Sequence, residues 1–583
     1  MTRLTFFRLG ILVQLLLGWT DLNAKIINVT HFGMLPNDGQ DDRQALQLIL
    51  DRLQDGDKIY FPAGTYSFSS SLRLSGKIGI EIYGSLGKET STLMATGFDP
   101  FSSNASWTSL LEVSDCKDLI IRNLFIDVDR PVSVNGTVVG TGDSPDGSFY
   151  EIDLLPEFSE YTDRLAELKI MHQLSYNADG TPNYHISTHC DLKNGNWPHI
   201  EKLSTLRLKI YNNEAHKLSK GELINLRLKI TGNPCFSFLG VNTLTMRDIT
   251  IWQWPAFAMY VSDLANSRHR SGDMTLERIR MKPKPTSGRL MSISADGIHV
   301  ASMAGTFKAE HCEFVGLGDD AINIHSRLCH IGKISADSVL LINGWTKAPV
   351  EDDWAFKDDI IEFLDGKTGL PKGKAKVKFR GKGQYQLKSI PKHVNVGDFA
   401  AKDTGTPSTI IRDCMVSNSR ARGFVVQSKK VVISNNKIWN ISGPAILLSC
   451  DMERWFEATT VKKATITGNR IDNCGNYLRW DDTLTGYGAI AVKTGHEIGG
   501  IDKPAGVHHN ITIQANTISD CSNSAIFVSS TDGVKIRKNH IKNCSNRSSI
   551  PFYGNYAIYL KNCVNDQVFD NSFNQVKKLL GKD

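Results

Sequence analysis

The sequence predicts an all-β chain, a right-handed parallel β-helix (a solenoid) carrying two inserted small β-barrel modules. Three observations lead there. One strand pattern recurs with an asparagine at a fixed place, a second short apolar strand follows each copy, and the length exceeds what one compact core serves. The first pattern, apolar-x-apolar-x-x-Asn-x-apolar, occupies 431–438, 464–471, 511–518 and 534–541, and 568–573 without its first apolar residue. Its shared residues are Asn436, Asn469, Asn516, Asn539 and Asn571. The second pattern is small-apolar-x-apolar, as in Gly297-Ile298-His299-Val300, Ala321-Ile322-Asn323-Ile324, Gly423-Phe424-Val425-Val426 and Ala445-Ile446-Leu447-Leu448. Its tightest spacings, 24 residues from Ile298 to Ile322 and 22 from Phe424 to Ile446, give the length of one coil. Short strands repeating at such a period indicate a solenoid, whose core grows along one axis and so accommodates 583 residues.

The elements follow in chain order. Arg3 and Arg8 flank an apolar stretch from Leu9 to Leu17, and a short polar segment ends at Ala24. That layout is a secretory signal peptide over 1–24, so the mature chain is expected to be exported, periplasmic or secreted. Residues 25–131 read as a cap and the first coils. An amphipathic run to Leu53, N-capped by Asp41 or Asp42, supplies a helix that closes the open end. The stretches 132–231 and 334–402 break the coil period but keep β-type alternation, so each reads as an inserted β module. The step from Ile322 to Phe424 is 102 residues. Coils fill 232–333 and 403–583.

Composition narrows the partners. Net charge is +6 from 67 basic and 61 acidic residues, without a block of like charge, which gives no case for nucleic-acid binding. Beyond the leader no run of 18 apolar residues occurs, so membrane insertion is not expected. The eleven Cys form no C-x-x-C pair. Cys414, Cys474, Cys521 and Cys544 recur at one point of the repeat and read as a buried column; no metal site or cofactor is expected. Exposed strands of the inserts are candidates for pairing two copies of the chain.

Of five Asp-Asp pairs (41–42, 319–320, 352–353, 358–359 and 481–482), the repeat singles out one. Asp320 precedes Ala321 as Asp296 precedes Gly297, so the two hold one position on adjacent coils. Neighbouring strands lie about 4.7–4.9 Å apart, and stacked like charges at that distance are costly unless one is protonated or a cation intervenes. Arg422, just before Gly423, is placed to be that cation. A structural column would carry Asn, Ser or Thr, which ladder by hydrogen bonds. Asp296, Asp319 and Asp320 therefore read as a catalytic cluster for glycosidic hydrolysis, which needs one protonated and one ionised carboxyl. Their mutual repulsion is expected to separate the pKa values, and an acid-to-base separation of about 6.5–9.5 Å is expected for direct displacement by water. His325, Gln427 and Lys493 fall in one outward column and His299 and Asn323 in another; with Arg422 they are candidate sugar-binding residues. Trp252, Trp254 and Trp455 serve either to stack on a sugar or to pack the core.

Ser294-Ala295-Asp296-Gly297 followed by Gly318-Asp319-Asp320 resembles the motifs of polygalacturonases. Those enzymes carry Gly-His-Gly on the next coil, where this chain has Arg420-Ala421-Arg422-Gly423. The chain is more similar to glycoside hydrolase family 110, exo-acting α-1,3-galactosidases, in size, leader, cap, two inserted modules and three-Asp site. That resemblance implies an inverting, metal-independent enzyme acting on glycans with terminal α-1,3-galactose, including blood-group B type glycans. By it Asp319 is the general acid, and Asp296 and Asp320 activate water. Two other readings stand beside it. A polygalacturonase-like hydrolase would use Arg422 and Lys493 on a uronate carboxylate. A non-catalytic carbohydrate-binding β-helix would have no reason to tolerate stacked aspartates. Export is checked by mass spectrometry of the protein from its native host: the mature N-terminus is expected near Lys25, and Met1 retained on a cytoplasmic protein would overturn it.

Overall fold

A computed structural model of the chain describes residues 24–583 except 86, 88, 98–105, 108, 163, 165–169, 187–198, 229–230, 264–266, 351–353, 382, 477–487, 496–502 and 547–551. Residues 1–23 of the expected signal peptide and the 352–353 and 481–482 aspartate pairs thus lie outside the described residues.

The small-apolar-x-apolar segments form one twelve-stranded parallel sheet. Within it Ile298–Val300, Ile322–Ile324, Phe424–Val426, Ile446–Cys450 and Ile490–Thr494 lie side by side, with Ile298, Ile322, Phe424, Ile446 and Ile490 in register. Alternation decides which side chains enter the core: Ile298 and Val300, Ile322 and Ile324, and Phe424 and Val426 are fully buried in one continuous cluster. The asparagine-bearing segments belong to a second, 23-stranded parallel sheet that wraps the other sides of the same core.

The repeated asparagine stacks into a ladder. The side-chain amide of Asn436 donates to Asn469 Oδ1, Asn469 to Asn516, Asn516 to Asn539, and Asn539 to Asn571, each at 2.9–3.0 Å. Each backbone N–H donates to the same oxygen of the next coil. The residue before each ladder asparagine (Asn435, Gly468, Ala515, Lys538, Asp570) has a left-handed φ of 53–68°. The chain turns sharply there, and the asparagine satisfies the polar backbone that the turn exposes. The column with Cys414, Cys474, Cys521 and Cys544 is buried, and the ten described cysteines are free thiols.

At the N-terminal end the helix Arg43–Arg52 buries Leu46, Ile49 and Leu50 over Leu72 and Leu74. Asp42 holds the N-cap position without a side-chain cap bond; its carboxylate accepts the Ser67 N–H, and Asp41 Oδ1 accepts the N–H of Arg43.

The two inserts are antiparallel and carry their own apolar cores. The second closes: Ser338–Asn343, Gln384–Leu387, Pro371–Gly381, Ile360–Leu364, Phe399–Lys402 and Ser326–Ser335 form a ring in which the last strand pairs with the first. Its strand Ser326–Ser335 starts before the expected 334, because the chain runs straight from the coil strand into the barrel without a linker. Among the described residues the first insert does not close into the expected barrel. Its six strands run in the open order Ile170–Tyr176, Leu223–Leu228, Ser133–Ser144, Gly147–Leu154, Arg207–Tyr211, Ile200–Lys202. The edge by Ile170–Tyr176 docks on the helix instead of closing. Leu174 and Tyr176 pack with Met291, and Tyr184 donates its hydroxyl to the Ser419 carbonyl at 2.8 Å.

If the ladder supports the coil turns, Asn469→Ala removes the acceptor of two Asn436 donors. A buried group left unpaired costs about 1–3 kcal/mol, so the melting temperature is expected to fall by several degrees; an unchanged melting temperature would show the ladder to be dispensable.

Candidate active site

The site is assembled by coil register. Asp296, Asp320 and Arg422 stand just before Gly297, Ala321 and Gly423, and backbone bonds from Gly297 N–H to Asp320 O and from Ile298 N–H to Ala321 O fix the stacking. Gly318 makes it tight: a Cβ there would lie 2.4 Å from the Ser294 carbonyl oxygen, so only glycine lets the two coil entries meet. The stretch after it delivers Asp319 onto the same cluster.

The expected cation is in place. Arg422 donates from Nη2 to Asp320 Oδ2 at 2.8 Å and from its backbone N–H to Oδ1 at 3.2 Å. Asp296 Oδ1 accepts the N–H of Asp320 at 3.2 Å, and its Oδ2 lies 2.7 Å from His299 Nδ1. Asp296 is 5% and Asp320 1% exposed. The Asp319 side chain is 36% exposed, with Arg420 Nη1 3.7 Å from its Oδ2. One oxygen of each of the three carboxylates lies within 4.8 Å of the others. That is closer than the separation expected from the sequence. The contact of Gly318 with the Ser294 carbonyl lies directly before this cluster on the same two coils.

Burial, more than mutual repulsion, sets the acidities. Desolvation is the largest influence on Asp296 and holds its pKa above the ordinary value, with Asp319 adding to it and His299 opposing. Desolvation likewise drives Asp320 well above the ordinary range, against the pull of Arg422. Burial disfavours the charge on Arg422, but Asp320, Asp319, Asp296 and Glu457 together hold its pKa above the usual value.

The candidate sugar-binding residues divide. His299 Nε2 faces His325 Nε2 at 3.0 Å, and His325 Nδ1 lies 3.3 Å from the Ser326 carbonyl. Both ring nitrogens of His299 are therefore engaged within the protein, and it acts on Asp296. Burial works against a charge on His299, yet its bond to Asp296 leaves its pKa raised; burial and then the charge of His299 push that of His325 well down. Gln427 lies beside His325 in register and donates to Glu457 Oε2 at 2.9 Å. Asn323 is buried beside His299 with its Oδ1 unpaired among the described residues. Lys493 continues the His325–Gln427 column only after Ser449, farther from the aspartates. Trp254 is wholly buried and its indole N–H donates to the Asn233 carbonyl, so it packs the core.

Three residues beyond the sequence-based set enter. Glu457 Oε1 lies 3.5 Å from His325 Nε2, placed by the short antiparallel pairing of Glu457–Ala458 with Ser326 and Arg327. Burial raises its pKa to about 7. Arg227, from the open insert, lies among Asp319, Asp296 and Arg420, its pKa brought down to about 10 by burial; its Nη1 is 2.7 Å from His172 Nδ1. Arg420 is two residues before Arg422, so that signal was in the sequence; Glu457 and Arg227 sit outside the repeat and carried none. Among the described residues, two groups have the chemistry to hold a cation, His299 with His325 and Glu457, and the three aspartates.

The other described aspartate pairs are structural. Asp359 pairs with Arg270 and accepts the Phe356 N–H, and Asp41 and Asp42 secure the N-terminal helix.

Comparison with known proteins bears on this arrangement. Residues 26–139 match the family model "Rhamnogalacturonase A/epimerase, pectate lyase-like", and 408–579 match "Right handed beta helix region". The chain is 29% identical over 347 residues to a Bacteroides fragilis protein named alpha-1,3-galactosidase A, covering 55% of each chain. It is 23% identical over 579 residues to an Akkermansia muciniphila protein named alpha-1,3-galactosidase B, covering 94% of this chain and 70% of the relative. It is homologous to these proteins. The chain spans about half the length of the Bacteroides fragilis relative. Among solved structures, a Yersinia enterocolitica exopolygalacturonase aligns with a TM-score of 0.44 at 11% identity, over 96% of this chain and 78% of that one.

Glu457 gives a pH test. Its folded pKa of about 7 lies above the ordinary 4.5, so between these values the folded state binds more proton than the unfolded state. The stability this contributes is complete below about pH 4.5 and lost as pH rises through about 7. The melting temperature of Glu457→Gln relative to the parent should therefore climb between pH 4.5 and 7.5; a difference constant with pH would show that Glu457 titrates normally.

Proposed function

We propose that this protein is an exported exo-acting glycoside hydrolase that removes terminal α-1,3-linked galactose from glycans with inversion. The observation that carries the reading is the Asp296–Asp320–Arg422 stack with Asp319 beside it, in a chain homologous to proteins named alpha-1,3-galactosidase.

The roles follow from what each carboxylate is tied to. Asp319 is the most exposed of the three and serves as general acid to the leaving oxygen. Asp296 and Asp320 hold and deprotonate the attacking water. The short spacing alone would fit a covalent intermediate, since nucleophile and acid in such enzymes lie about 5–5.5 Å apart. Their bonding argues against it. Both Asp320 oxygens accept from Arg422, and both Asp296 oxygens are engaged, by Asp320 N–H and by His299. A carboxylate so held is a poor nucleophile but a well-oriented base. His325 and Glu457 secure His299 from behind, and Arg227 and Arg420 offset the negative charge that the acid and base would otherwise accumulate.

Asp296→Asn, Asp319→Asn and Asp320→Asn should each fold and lose at least the roughly 10²–10⁴-fold that acid–base assistance provides. Release of galactose from α-1,3-, α-1,4- and α-1,6-linked galactosides and of uronate from polygalacturonate tests the substrate class. Proton NMR in the first minutes of turnover should show β-galactose as the first product. Early α-galactose would reassign one of the buried aspartates as a nucleophile, and near-normal turnover in any variant would remove that residue from the mechanism.

A further inference from the structure

Beside the aspartate column three acceptor atoms converge on one gap. His299 Nε2 and His325 Nε2 face each other at 3.0 Å, and Glu457 Oε1 lies 3.5 Å from His325 Nε2. The bonds behind these atoms fix what each presents. His299 Nδ1 lies 2.7 Å from the Asp296 carboxylate, and His325 Nδ1 3.3 Å from the Ser326 carbonyl. A carbonyl oxygen only accepts, and so does an ionised carboxylate. With Asp296 ionised, both Nδ1 atoms therefore carry the N–H, and neutral imidazoles then point both Nε2 lone pairs into the same gap. Glu457 adds an oxygen to it while its Oε2 accepts from Gln427 at 2.9 Å. Two lone pairs so close repel unless a cation lies between them.

The cluster has the dimensions and the support of a metal centre. Zinc holds imidazole nitrogens at about 2.0–2.1 Å and carboxylate oxygens at about 2.0–2.2 Å in a tetrahedral array. Neighbouring ligand atoms of such an array lie about 3.3 Å apart, between the 3.0 and 3.5 Å found here. One ligand atom of each of the three residues lies within 4.8 Å of the other two. The outer partners match as well. A metal-bound imidazole donates its second N–H to a carboxylate or a backbone carbonyl, which are the partners of His299 and His325. The His299 ring is also held in advance, stacked on Phe257 with centroids 4.6 Å apart at 14°.

The surroundings select the ion. The side chains of His299 and Glu457 are 14% and 15% exposed, so a small ion can enter from solvent. Asn323, in register beside His299, holds a buried Oδ1 without a partner among the described residues, an acceptor for a water on the ion's open position. The aspartate column already has its cations, with Arg422 2.8 Å from Asp320 and Arg420 3.7 Å from Asp319. Two imidazoles with one carboxylate suit zinc and its transition-metal neighbours rather than Mg²⁺ or Ca²⁺, which take oxygen ligands.

We propose that His299, His325 and Glu457 bind one divalent cation of the zinc class, with no step of hydrolysis assigned to the ion. The full chain, stripped of metal with a chelator, is titrated with zinc chloride by calorimetry and, separately, with magnesium chloride. One tight equivalent of zinc is expected, with Mg²⁺ bound far more weakly. His325→Ala and Glu457→Ala should each weaken zinc binding at least tenfold. A parent that takes up no zinc, the gap then being filled by a proton shared between the imidazoles, overturns the proposal. So does a parent that binds Mg²⁺ as tightly, or zinc binding unchanged in either variant. Thermal melting of the metal-free variants shows whether they fold. If neither does, X-ray absorption of the zinc-loaded parent decides. Two imidazoles with oxygen ligands support the site, and sulfur ligands or a shell without imidazole overturn it. Turnover enters none of these readouts, so the test stands whether or not the chain releases galactose.

Discussion

Parallel strands about 4.7–4.9 Å apart place equal positions of successive coils in contact, and the site of this protein depends on that spacing. It sets Asp296 under Asp320 and Asp320 under Arg422, so that a carboxylate, a second carboxylate and a guanidinium form one column. The same spacing along the asparagine ladder makes an uninterrupted chain of hydrogen bonds. One periodicity therefore serves opposite ends: identical polar residues stack where they can donate and accept alternately, and oppositely charged residues stack in the candidate site.

The charged column is stable because it is compensated piece by piece. Arg422 neutralises Asp320, and His299 bonds to Asp296 and opposes the rise of its pKa. Burial nevertheless raises the pKa of both aspartates. Desolvation of this kind tunes carboxylates for work near neutrality. Leaving Asp319 partly exposed while its two neighbours are buried separates the three by environment, as the proposed division of roles requires.

The inserts contribute more than bulk. The open one places Arg227 among the acidic groups, and its docking through Tyr184 and the Leu174–Tyr176–Met291 contact holds that arginine in place. The closed one brings Trp345 to the loop that carries Trp455 and Glu457. The inserts thus add single residues to the candidate site, while its aspartate column is made by the repeat itself.

That division explains what could be read from the chain alone. Strand register in a solenoid follows from a local pattern, so the stacking of Asp296, Asp320 and Arg422, the columns His299–Asn323 and His325–Gln427, and the asparagine ladder were legible from spacing. Distances across the coil entry were not. Gly318 lies one coil after Ser294, so their contact follows the period, but where the Asp319 carboxylate points from it does not. Closure of an insert depends on whether its edge strands find each other or the helix first, so the sequence marked two modules but could not tell a barrel from a docked open sheet. Glu457 and Arg227 lie far from the aspartates in sequence and outside any repeat. Only the packing of inserts and loops against the coils brings them to the site, because long-range contacts between unlike segments are set by shape and burial rather than by period.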